Sequence, residues 1–243
     1  MAANTNALDL ELSSSQYIWA ADHASLDLST AVTMRFWAKR EAISGASAMT
    51  MIGKRAADSS TVNYQVGWLA TDKLFFYYRT GGVDHVWETT ATFTDTTAYH
   101  FITCKFTYGD GSSIKICHDS ATAEAGSWTA GDGTAAAATD ANRLSIGAAY
   151  AGAASQFVDG LVDEVGLYSS AITEATLYEN RFNDISADSN LQLYAKLNND
   201  YDDASANNHT ITAEGTPAFS ATVPFANYGG DVSGFLSLNK GYW

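Results

Sequence analysis

Apolar and polar positions alternate with a period of two along much of this chain, which is the pattern of half-buried strands. The runs VNYQVGWLA (Val62 to Ala70) and LFFYYRT (Leu74 to Thr80) are short, aromatic and bounded by turn residues. Ile102, Cys104, Phe106 and Tyr108 share one face of a strand that turns at Gly109-Asp110-Gly111. A three-residue loop there pairs Phe106 with Ile114 and Cys104 with Ile116, keeps that face apolar on both strands, and turns Cys117 to the other side. Two free thiols are therefore expected, with Cys104 a small core hydrophobe. LQLYAKL (Leu191 to Leu197) alternates well enough to pair into the same sheets.

The period changes once, within Phe157 to Leu177. Phe157, Gly160, Val162, Val165, Leu167 and Tyr168 read as a strand with Asp163-Glu164 set in its middle. Ser170 then caps a short helix predicted over residues 171–182, in which Ile172, Ala175, Leu177 and Tyr178 fall at helical spacing and Glu174 lies in the first turn. The fold class this gives is all-β: an antiparallel β-sandwich with one short helix near residues 171–182. Residues 1–225 are expected to form a single sandwich with 191–219 pairing back into it, and residues 226–243 a C-terminal tail. Only 2 prolines occur among 243 residues, so Gly, Ser, Thr, Asp and Asn make the turns.

The strand with its Asp-Glu pair, FVDGLVDEVGLY, resembles the closing segment F-x-G-x-I-D-E-V-x-I-Y of laminin-G-like, concanavalin-A-like jelly-roll domains. Ala7 to Arg40, with its Phe36-Trp37 pair, is similar to that family's opening strands. Ala98 to Asp119 resembles its hairpin W-H-H-V-A-V-T-Y-D-G, with Tyr99 where tryptophan precedes His100. Asn142 to Tyr150 matches the strand before the Asp-Glu segment. Asp203, Ser205, Asn207 and Gly215 sit at the matching places of D-S-S-G-N-x-N-x-x-L-x-x-x-G, which in most relatives precedes the first strand. The chain thus looks circularly permuted, or carries the opening of an uncompleted second repeat. The resemblance implies a jelly roll and work outside cells, and it brings in glycan hydrolases and lyases.

Glycoside hydrolysis requires two carboxylates on one face. The E-x-D-x-x-E run of sandwich β-glucanases is missing, Asp163 and Glu164 alternate across a strand, and the histidines at 23, 85, 100, 118 and 209 have no metal-ligand spacing in sequence. A non-catalytic protein is expected. The formal charge of −14, from 27 acidic and 13 basic residues, excludes a nucleic-acid partner and docking on anionic membranes. A well-solvated surface accounts for it, and so does Ca²⁺ held by clustered carboxylates. The candidate ligands are Asp163, Glu164, Asp200, Asp203 and Asn207, the last three in an Asx-rich loop that turn-making also explains.

For glycans, which stack on exposed aromatics, the candidates are Trp87, Trp128 and Tyr78, while Trp37, Trp68 and Tyr77 are assigned to the core. The tail Ala226 to Trp243 offers Phe235, Leu238, Tyr242 and Trp243 for docking on a neighbouring subunit, or for packing back on its own sandwich. MAANTNALDLELSSS has no signal-peptide pattern. The expectation is a virion surface protein of phage-like decoration or fibre type, made in a host cytoplasm, homo-oligomeric among the subunits of a particle, and able to bind glycans. The alternative is a carbohydrate-binding module of a secreted protein.

Overall fold

The computed structural model describes residues 3–226. Its strands in chain order are β1 (Ala7–Leu10), β2 (Tyr17–Ala20), β3 (Ala31–Arg40), β4 (Met49–Arg55), β5 (Val62–Trp68), β6 (Leu74–Thr80), β7 (Val83–Thr89), β8 (His100–Thr107) and β9 (Lys115–His118). β10 (Gly126–Ala130), β11 (Leu144–Ile146), β12 (Ala149–Tyr150), β13 (Ala154–Ser155) and β14 (Gly160–Tyr168) precede the helix α1 (Glu174–Glu179), and β15 (Leu191–Ala195), β16 (Ile211–Glu214) and β17 (Ala218–Ser220) follow it. One sheet runs β17-β1-β14-β3-β8-β9, with β15 also on β14, and the other runs β10-β7-β6-β5-β4-β11-β2-β16. β12 and β13 form a separate hairpin. The architecture is an antiparallel β-sandwich, as the alternation predicts.

The core is made by one alternating face of each sheet. Met34, Phe36, Ile102, Cys104, Phe106, Val162 and Leu167 of the first sheet pack with Tyr64, Val66, Trp68, Phe76, Tyr78 and Ile146 of the second. Each fully buried aliphatic or aromatic side chain there stabilises the fold by ~1.5–3 kcal/mol.

Cys104 lies opposite Ile116, the expected register, and both thiols are free and buried. Burial pushes the Cys104 thiol well up and lifts Cys117 to about 11. We expect a thiol reagent at neutral pH to label neither cysteine in the native protein and both after denaturation; rapid labelling of the folded protein would contradict this placement.

The helix starts later than predicted. Thr173, not Ser170, is its N-cap, accepting from the Thr176 backbone N–H. The Ser170 carbonyl takes the Thr33 hydroxyl at 2.6 Å, and the Ile172 N–H donates to that same hydroxyl at 3.1 Å. These bonds hold residues 170–172 against β3, so the helix spans only 174–179. The loop after it closes over the outer face of the first sheet. Arg35 donates to the Asn180 carbonyl, Trp37 donates to that of Arg181, and Phe182 stacks on Trp37.

Asp163 and Glu164 form a β-bulge, not a simple alternating pair. Asp163 pairs with Trp37 and Gly166 with Arg35, so β14 carries one residue more than β3 between these points. Glu164 absorbs the excess at φ 55, a strained region for a residue with a side chain. The bulge also marks the place where the other neighbour of β14 changes, from β1 at residues 160–162 to β15 at 165–168. Gly160, at φ 144, is needed because a Cβ there would stand 2.2 Å from the Lys39 carbonyl oxygen.

At one end of the sandwich Lys54 is fully buried and surrounded by oxygen. Its ammonium lies 2.6 Å from Asp22, 3.2 Å from Asp27 and 3.8 Å from Asp140, and donates to the carbonyls of Asp140 and Asn142.

Candidate functional site

The outer face of the eight-stranded sheet carries a cleft of ≈ 240 Å³. Its floor follows from the alternation of β5, β6 and β7. Tyr64, Val66, Phe76, Tyr78 and Trp87 point into the core, so Gln65, Phe75, Tyr77 and Val86 point outward. Cross-strand register then sets Gln65 beside Tyr77, and Tyr77 beside Val86. Ala48, Arg55, Leu69, Asp84 and Gln156 complete the walls.

The polar groups of the cleft are fixed by one another. The Tyr77 hydroxyl donates to Asp84 at 2.8 Å, and Arg79 stands 3.5 Å from the same carboxylate. Burial, with the Asp84 charge adding to it, pushes the Tyr77 phenol up to about 12, so it remains a neutral donor at physiological pH. Gln156 reaches the cleft from the β12–β13 hairpin side: its side-chain oxygen accepts from Thr50 at 2.7 Å and from Gln65 at 2.8 Å, and its carbonyl accepts the Thr50 N–H. Arg55 donates to Gln65 at 3.3 Å and to Ser59 at 2.8 Å. Chemically the lining is the half-buried Tyr77 ring with Phe75 beside it, the Arg55 guanidinium, one carboxylate and two amides, and Arg79 backs the carboxylate from outside the lining.

On the far side of the β12–β13 hairpin, Trp19 lies on the same sheet face. The Arg143 guanidinium covers its ring at 3.9 Å and lies 4.2 Å from Tyr150. That ring face is already occupied.

The predicted glycan platform is corrected by burial. Tyr78 is 0% exposed and Trp87 6%, both within the core, so neither presents a ring to solvent. Trp128 is half-buried: it pairs with Trp87 across β10 and β7, faces inward with it, and donates to the Gly111 carbonyl at 2.9 Å. Tyr77, assigned to the core by sequence, lines the cleft as a half-buried ring, with the more deeply buried Phe75 beside it.

The predicted cation ligands are also used otherwise. Asp163 accepts from the Asn4 amide at 2.8 Å, and Glu164 lies 3.9 Å from Arg35 and accepts from the Tyr194 hydroxyl, all beneath the outer loop. Burial, then the Glu164 charge, lifts the Asp163 carboxyl well above the usual range. Asp203 receives four donors, from the backbone of Tyr194, Ser205 and His209 and the hydroxyl of Ser205, and so organises its own loop. Asp200 accepts from the Asp202 N–H, and Asn207 donates to the Gln192 carbonyl. No three of Asp163, Glu164, Asp200 and Asp203 bring ligand atoms within 4.8 Å of one another; among the described residues, His100, His118 and Asp119 do so, as do Asp9, Glu11 and Glu41. Phe235, Leu238, Tyr242 and Trp243 lie outside the described residues.

The two antiparallel sheets packed face to face make a jelly roll of the lectin-like fold class. The chain belongs to the concanavalin A-like lectin/glucanases superfamily, whose family model matches residues 12–177. No curated protein matches it. Among solved structures it is similar to a candidate carbohydrate binding protein from Bacteroides ovatus ATCC 8483, at TM-score 0.62 and 17% identity, covering 93% of this chain and 62% of that one. It thus spans less than two thirds of that protein. It is also similar to the CBM40 of the Ruminococcus gnavus IT-sialidase, alone (TM-score 0.52, 9% identity, 72% of this chain and 95% of that one) and bound to α2,3-sialyllactose (TM-score 0.51, 10% identity, 66% and 90%).

Proposed function

We propose that this protein is a non-catalytic carbohydrate-binding module and that the cleft around Tyr77 takes the glycan. The observation that carries the reading is the company Tyr77 keeps: an aromatic side chain at the cleft surface, with Arg55, Asp84, Gln65 and Gln156 around it. Sugars are bound by an apolar ring face against an aromatic and by hydroxyls against fixed polar groups. A volume of ≈ 240 Å³ suits one saccharide unit with the remainder of the glycan in solvent. Of the lining residues Asp84 alone is acidic, which suits recognition better than two-carboxylate hydrolysis. Similar domains with sialyllactose bound support glycans as the ligand class and make sialylated and neutral oligosaccharides the natural probes. The particle-surface expectation rests on the signal-free N-terminal sequence and on the C-terminal segment beyond residue 226, not on the described fold, so the module reading is the one carried forward.

The test is a glycan array followed by calorimetry on the best binder. Tyr77→Ala should weaken binding at least tenfold, equivalent to ~1.4 kcal/mol. Arg55→Ala should weaken it and change the order of preferred glycans. Trp128→Phe, which keeps the inward ring, should bind like the wild type. An affinity untouched by Tyr77→Ala would overturn the site, and an array with no binder would overturn the function.

A further inference from the structure

We propose that His100, His118 and Asp119 form a binding site for a divalent transition metal of the zinc class, at the open end of the β8–β9 hairpin. The backbone brings the three together. His100 opens β8, His118 closes β9 opposite Ile102, and the Asp119 N–H donates to the Phe101 carbonyl at 2.9 Å. The two imidazoles lie 4.4 Å apart, centroid to centroid. Asp119 Oδ2 stands between them, 2.5 Å from Nδ1 of His100 and 3.7 Å from Nδ1 of His118.

An ion bound at ~2.1 Å by nitrogen and oxygen ligands in tetrahedral geometry holds them about 3.4 Å apart. The two observed separations bracket that value, so a shift of a fraction of an ångström in Asp119 admits the ion. Asp95 Oδ2 lies 3.3 Å from Nε2 of His100, on the ring edge away from Asp119, where it orients the imidazole whose Nδ1 takes the ion.

The charge balance agrees. The Asp119 carboxylate and two imidazoles, with the Asp95 carboxylate behind His100, favour a dication, and the nearby Arg40 is engaged by Asp72 at 2.7 Å and by the Phe93 carbonyl. His118 and His100 also line a cavity of ≈ 200 Å³ with Trp68, Phe93 and Asp95, which leaves room for a water as a further ligand. Two nitrogen donors beside carboxylate oxygen favour zinc and its neighbours over calcium and magnesium, which prefer oxygen alone. The site is separate from the Tyr77 cleft and does not rest on the glycan reading.

The experiment titrates chelator-treated full-length protein with ZnCl₂, and in parallel with CaCl₂. One equivalent of zinc should bind and raise the melting temperature, with no comparable effect of calcium. His118→Gln, which keeps the His100–Asp119 bond, should weaken zinc binding at least tenfold. His23→Gln with His209→Gln removes the other close histidine pair, whose rings are 5.0 Å apart, and should leave binding unchanged. Zinc should shift the imidazole NMR signals of His100 and His118 in the wild type, a readout that needs no variant. Absence of zinc binding, wild-type affinity in His118→Gln, or signals that move at His23 and His209 instead would overturn the proposal.

Discussion

Lys54→Met is expected to destabilise the protein by about 3–5 kcal/mol, the usual cost of removing one partner from a buried ionic cluster. Methionine keeps most of the stem volume but leaves Asp22, Asp27 and Asp140 facing each other without the ammonium that binds them. In a protein of this size that lowers the melting temperature by roughly 6–20 °C. Burial already raises the Asp140 carboxyl above the usual carboxylate value, with Lys54 opposing the rise. Without Lys54 the folded-state value climbs further, so the folded variant binds protons that the unfolded chain does not bind until lower pH. Stability then falls as pH rises through the window between those two values. The deficit against wild type should be largest at neutral pH and narrow toward pH 4. Melting curves between pH 4 and 8 test this, and a deficit that stays constant across the range would sink the explanation.

Phe106→Ala is expected to cost a similar ~3–5 kcal/mol, for a different reason. Phe106 is fully buried where the two sheets meet, with ring centroids 5.0 Å from Phe76, 5.4 Å from Tyr78, 5.2 Å from Tyr108 and 5.7 Å from Trp128. Truncation removes the shared partner of four rings, and the sheets on either side are too constrained to close the void. Urea unfolding should show the midpoint falling sharply in Phe106→Ala and much less in Phe106→Leu. Below its midpoint the alanine variant should still bind glycan, since the cleft is on the opposite face of β6. A loss under 1 kcal/mol would mean the aromatic cluster is looser than its geometry implies.

The sandwich was legible in the sequence because its strands alternate, and the β8–β9 register because only one pairing keeps an apolar face on both strands. LFFYYRT defeated the same reasoning. It is apolar on both faces, so a one-residue ambiguity exchanges Tyr77 with Tyr78. The missed signal lies across the Gly81-Gly82 turn, where Arg79 pairs with Asp84. A polar pair there marks the wet face, and Tyr77, two residues from Arg79, shares it. Gln156 was beyond reach, since nothing local ties it to Thr50 and Gln65 roughly 100 residues earlier. The bulge at Glu164 was hidden because a carboxylate pair in a strand reads as alternation until the pairing of β3 and β14 is counted. In the Asx loop turn-making and oxygen coordination use the same residue types, and the Asp203 carboxylate is taken up by three backbone N–H groups and the Ser205 hydroxyl.

The position of β1 gives the chain a problem in time. Among the described residues β1 pairs with β14 and β17 alone, so the segment ending at Leu10 must wait roughly 150 residues, until Gly160 and beyond, for its first neighbour. At ribosomal rates of about 5–20 residues per second that wait is some 8–30 s. Throughout it the nascent chain can complete β4 to β7, whose consecutive hairpins need nothing upstream, while β1 remains an unpaired apolar strand open to the wrong partner. Its shortness, four residues followed by the exposed Glu11, limits that risk. Vectorial synthesis therefore sets the order of assembly: the hairpins from β4 to β7 first, and the insertion of β1 between β14 and β17 late, when the closing strands arrive from the other end of the chain.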